Sequence, residues 1–151
     1  MSTNFTPPDL KNIVPEYCCS FIVNSEHLTV KNSIVNSIVQ NYKNKFPHLK
    51  IISTIKCNDF FSQEELFEII EINQLKNFLK IHLERTREYP NDTHSVIIID
   101  KVEKNNEIWE LILSELIHNS RAYCLAVIIM DENFVENYPK LAPYAYKLIF
   151  K

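Results

Sequence analysis

FIVNSEHLTVKNSIVN, residues Phe21 to Asn36, is the stretch on which the fold turns. It continues an apolar run from Cys18 to Val23, passes through a short polar segment, and enters a region with helical spacing. From Thr29 to Phe46 the apolar residues fall at Val30, Ile34, Val35, Ile38, Val39, Tyr42 and Phe46. That spacing predicts a helix with one buried face, stopped by Pro47. A strand is thus expected to hand directly to a helix.

Outward from this unit the alternation continues. Leu49 to Ile55 is strand-like, with β-branched Ile and Thr. Ser62-Gln63-Glu64-Glu65 reads as a capping box that opens a helical region running to about Arg87, with a break near Asn73. Ser95 to Ile99 is an unbroken apolar run ending at Asp100, and Leu125 to Met130 is another, ending at Asp131. Strands apolar on both faces belong inside a parallel sheet covered by helices. Asn106 to about Asn119 is amphipathic, and Tyr146 to Phe150 is a last strand. The expected fold is α/β, three layers with a mostly parallel sheet. Residues 1–16, with three of the seven prolines, read as an irregular arm before one domain over 17–151.

Composition narrows the function classes. The chain has 151 residues, enough for one domain with a real core. Its formal net charge of -3 argues against a general electrostatic footprint for nucleic acid. Lys31, Lys43, Lys45 and Lys50 are the residues from which a local DNA-binding surface could be built. Cys18, Cys19, Cys57 and Cys124 have no CxxC spacing and no paired histidines, so reduced thiols are expected rather than a zinc site. No signal peptide or membrane span is expected, which points to a protein inside a cell or inside a particle assembled there.

Glycine is absent, although at a usual frequency of about 7% roughly ten would be expected. Turns that need positive φ must use Asn, Asp or Ser instead. The phosphate-binding P-loop, G-x-x-x-x-G-K-[ST], depends on glycines that let backbone N–H groups wrap the phosphates. Two registers can be laid on the opening stretch. With Asn24 and Thr29 in the glycine places, Val30 stands for the lysine. With Ser25 and Val30 there, Lys31 matches the lysine but Asn32 replaces the magnesium-binding hydroxyl. In either register side chains intrude where phosphates would lie.

Asp100, at the end of the strand VIIID, is where P-loop enzymes hold magnesium. The second acid that positions water is missing. Lys101 and Val102 follow, and Glu103 is displaced by two positions.

The last third, ELIHNSRAYCLAVIIMDENFVENYPKLAPYAYKLIF, resembles the corresponding stretch of DNA-packaging ATPases of the large nucleocytoplasmic DNA viruses, the poxvirus-type members of the FtsK/HerA superfamily. Asn119-Ser120-Arg121 stands at that family's Asn-Gly-Arg turn, and Leu125 to Met130 matches its strand. Asp131 falls where the sensor Gln is expected, and Pro139-Lys140-Leu141-Ala142 at its Pro-x-Leu-Arg segment, without the Arg. With the earlier strands the resemblance covers roughly residues 18–151.

It implies a P-loop-NTPase-like domain in which every departure falls on a catalytic feature. The expectation is therefore a pseudo-ATPase with no nucleotide cofactor, acting through a protein partner or a homo-oligomer. Two alternatives stay open: an active ATPase using Lys31, Asp100 and Glu103 with ATP and Mg, and a DNA-binding accessory module. In the family, Arg121 would sense nucleotide or act near a subunit interface; without phosphates, a surface arginine at a helix carboxyl end is the favoured reading.

Overall fold

The computed structural model describes residues 17–53, 66–68, 72–89, 93–102, 104 and 106–150. In chain order the elements are β1 (Ser20–Ser25), α1 (Leu28–Lys45), β2 (Lys50–Ser53), β3 (Leu66–Glu68), α2 (Ile72–Glu88), β4 (Ser95–Ile99), α3 (Glu107–Asn119), β5 (Leu125–Ile129), α4 (Phe134–Asn137), a 3-10 turn (Ala142–Tyr144) and β6 (Tyr146–Phe150). Among the described residues, six strands join one sheet in the order β3-β2-β4-β5-β1-β6. Every pairing is parallel, as in Ile22↔Ile129 between β1 and β5 and Ile99↔Ile129 between β4 and β5.

Alternate residues of each strand feed opposite layers, as the two-residue period of a strand requires. Phe21, Val23, Ile51, Val96, Ile98, Ala126 and Ile128 pack against α1, which contributes Ile34, Ile38 and Tyr42. Ile22, Ile52, Ile97, Ile99, Val127 and Ile129 face the other way. There they meet Leu75 and Leu79 of α2, Leu113 and Leu116 of α3, and Phe134 of α4. The result is the expected three-layer α/β architecture.

Local chemistry sets the helix ends. Asn106 caps α3, its Oδ1 accepting from the N–H groups of Ile108 (3.0 Å) and Trp109 (3.3 Å), with Glu107 and Glu110 in the first turn. Lys43 and Lys45 lie in the last turn of α1, where cations suit the helix dipole.

The region read as a helix from Ser62 to about Arg87 differs. Leu66–Glu68 is a strand, pairing in parallel with β2 through Ile51↔Leu66, and the helix begins at Ile72. The open edge of β2 supplies backbone partners that a strand satisfies and a helix cannot, so tertiary pairing overrides local helical preference. The capping box at Ser62–Glu65 lies outside the described residues.

Among the described residues the only positive φ belongs to Cys124, at 53°. Asn, Asp or Ser was expected there, yet a cysteine takes the left-handed place between α3 and β5. The turn is closed by Leu125 N–H donating to the Ser120 carbonyl at 2.9 Å. Cys18 and Cys19 are free thiols, both buried. Burial pushes Cys18 up to about 12 and Cys19 to about 11.

His82 of α2 ties the α2 layer to this same turn. It is buried, and its Nε2 lies 2.6 Å from the Tyr123 carbonyl oxygen. A carbonyl only accepts, so Nε2 carries the proton and Nδ1 can accept from the Ser95 hydroxyl at 3.4 Å. Burial holds the His82 pKa below its ordinary 6.5, against the raising effect of the Tyr123 carbonyl, with Lys50, Arg85 and His94 adding to the depression. The unfolded chain therefore binds a proton that the folded chain rejects. Stability is expected to fall as pH drops below about 6.5, and His82→Asn should flatten that part of a pH–denaturation profile. An unchanged slope in the variant would contradict the assignment. Cys124→Gly relieves the left-handed strain and is expected to raise stability by up to about 1 kcal/mol in urea melts; a loss would show that the cysteine side chain is needed there.

Candidate functional site

In open parallel sheets, ligands bind at the carboxyl ends of the strands where successive connections leave toward opposite faces. Here that point lies between β1 and β5. The chain leaves β1 into α1 on one face, and leaves β5 into α4 on the other. A cavity of about 330 Å³ opens at this end of the sheet, lined by Lys31, Asp100, Lys101, Asp131 and Asn133 among others. Lys31, Asp100 and Asp131, singled out in the sequence, are therefore brought together.

The commitments of two of these groups are visible. Lys31 Nζ donates to the Met130 carbonyl oxygen at 3.1 Å. Asp131 is buried, its Oδ2 accepting from Val102 N–H and its Oδ1 from Asn133 N–H, both at 2.9 Å. Its carboxylate joins the loop after β4 to the loop after β5 and serves as a structural tie. Asp100 is half-buried at the end of β4, and Asn32 is half-buried on α1. Glu103 lies outside the described residues. Among the described residues no three His, Cys, Asp or Glu side chains converge as a metal ligand set.

The connection from β1 to α1 consists of Glu26 and His27 alone. It is tightened by Ser25 Oγ accepting from His27 N–H at 3.2 Å, and both Val30 N–H and Lys31 N–H donate back to the His27 carbonyl at 3.1 Å. The phosphate-cradling motif uses a run of residues between strand and helix so that successive N–H groups surround the anion. Two residues cannot form that concavity.

Arg121 sits elsewhere. It is exposed at the amino-terminal end of β5, its guanidinium carbon 4.4 Å above the centre of the Tyr17 ring, a cation–π contact. The lysines read as a candidate DNA surface are also dispersed. Lys31 lies at the opposite end of α1 from Lys43 and Lys45, and Lys50 enters a different cavity.

That second cavity, about 250 Å³ at the amino-terminal end of the sheet, was not anticipated. It gathers His48, Lys50, His82, Arg85 and His94. These residues come from separate segments with no motif spacing. One trace was available: His82 continues the buried stripe of Leu75 and Leu79, an imidazole on an otherwise apolar helix face.

Comparison with protein-family models and with curated proteins gives no match. Among the described residues no helix is long and apolar enough to cross a membrane.

Removing the Asp131 carboxylate orphans two backbone N–H groups. Asp131→Ala is expected to cost about 1.5–3 kcal/mol in urea denaturation, and Asp131→Asn less, because the amide oxygen can still accept. Equal, negligible losses in both would refute its role as a tie.

Proposed function

We propose that the chain is a non-hydrolysing relative of the DNA-packaging ATPases of large nucleocytoplasmic DNA viruses, working through protein contacts rather than nucleotide chemistry. The observation that carries the reading is the two-residue connection between β1 and α1. It stands where the phosphate loop would be, in a sheet whose order places β5 between β1 and the Asp100-bearing β4. The commitments of Lys31 to a carbonyl and of Asp131 to two backbone N–H groups support it further. On this reading no ATP or Mg is used, and the protein resides in the host cell or the virion.

Protein contact is supported by apolar side chains left at the surface. Ile108 and Leu111 sit three residues apart on α3, Leu111 at 72% exposure, and Ile149 is exposed on the edge strand β6. A partner protein or a second copy of the chain are both compatible with these surfaces.

The test is phosphate release from ATP with magnesium by the purified protein. Release at the uncatalysed background is expected, unchanged by Lys31→Ala or Asp100→Ala. Turnover above background that both substitutions abolish would favour an active hydrolase with a non-standard site, in which Lys31 leaves the Met130 carbonyl for phosphate.

A further inference from the structure

The cavity at the amino-terminal end of the sheet combines three features. The first is concentrated positive charge. Lys50 at the start of β2 and Arg85 on α2 both line it, with His48 and His94 beside them. Among the described residues, no acidic side chain lines the cavity. The second is an apolar wall formed by Ile52, Phe78 and Ile81. The third is rigidity. The His94 ring stacks on Phe46 with centroids 3.6 Å apart and planes 6° apart, and Lys50 N–H donates to the His94 carbonyl at 3.1 Å. His82 stacks on Phe78 at 5.6 Å and is fixed by Tyr123.

We infer that this cavity is a binding site for a small organic anion with an aromatic or similarly flat apolar body, held by Lys50 and Arg85 at its charged end and by Phe78 and Ile81 along its ring. Size agrees with this. A void of about 150 Å³ accommodates a benzene-sized ring, so about 250 Å³ takes a ring and a compact anionic group. Arg offers a planar fork that matches carboxylate or phosphate, and Lys a point charge beside it. His82, neutral with its Nε2 proton committed to Tyr123, acts as a positioning residue for the wall rather than as a charge.

The electrostatics point the same way. Burial lowers the Lys50 pKa, and Arg85 nearby lowers it further. Like charges held together in a partly dry cleft repel one another, and a bound anion would relieve that repulsion. The site lies at the opposite end of the sheet from the β1–β5 crevice, so it stands or falls independently of the pseudo-ATPase reading.

Phenyl phosphate is the probe, followed by calorimetry and by amide shifts in an ¹⁵N-labelled sample. Saturable binding is expected, with shifts centred on His82, Arg85 and Ser95. Lys50→Gln and Arg85→Gln should each weaken it about tenfold. Inorganic phosphate, lacking the ring, should bind more weakly, and benzyl alcohol, lacking the charge, should not bind. If a variant misfolds, as judged by near-ultraviolet circular dichroism, the wild-type protein still decides the matter, because charge-driven binding must weaken with added salt. No saturation by about 10 mM, equal binding of benzyl alcohol, or indifference to salt and both substitutions would overturn the proposal.

Discussion

β4 and β5 have no solvent-facing side. Every residue from Ser95 to Ile99 and from Leu125 to Ile129 is buried, and the two strands pair in parallel along their whole length. Such strands are stable only if both faces of the sheet are covered, and parallel connections must cross over the sheet to begin each new strand. Those requirements place α1 on one face and α2, α3 and α4 on the other. They also determine which loops meet at each end of the sheet.

The two ends have opposite characters. At the carboxyl end, where a parallel sheet ordinarily receives its ligand, two of the groups that could act, Lys31 and Asp131, are engaged by the protein itself. Lys31 holds a carbonyl, Asp131 holds two loops together, and the strand reaches its helix in two residues. At the amino end, a half-apolar cleft collects Lys50, Arg85 and the histidines. Positive charge on a chain of net charge -3 is thereby concentrated where, among the described residues, no acid lines the wall.

The sequence made the architecture legible because its signals are strong and local. The runs Val96–Ile99 and Leu125–Ile129 admit few readings other than central strands, and the stripe from Val30 to Tyr42 matches α1 closely. Leu66–Glu68 was misread because a three-residue strand has too short a period to distinguish it from a helical turn, and its reason for existing is the edge of β2. The use of Cys124 at positive φ was equally hidden, since a backbone requirement leaves no trace in the side chain chosen. At the site, the positions of Lys31, Asp100 and Asp131 followed from where strands end. Their engagements did not, because Met130 and Val102 carry no signal as hydrogen-bond partners. The cationic cleft was the least legible feature, since folding assembles it from residues between His48 and Ser95 that share no spacing.

The central claim is that the β1–α1 connection is too short to hold phosphate. It is tested most directly by following the backbone amides of Glu26, His27, Leu28, Thr29 and Lys31 while magnesium–ATP is added. The account predicts that these resonances stay in place at millimolar nucleotide, about the weakest affinity worth calling a site. Saturable shifts confined to these amides, and lost in Lys31→Ala, would mean that the connection opens to receive phosphate and that the account is wrong.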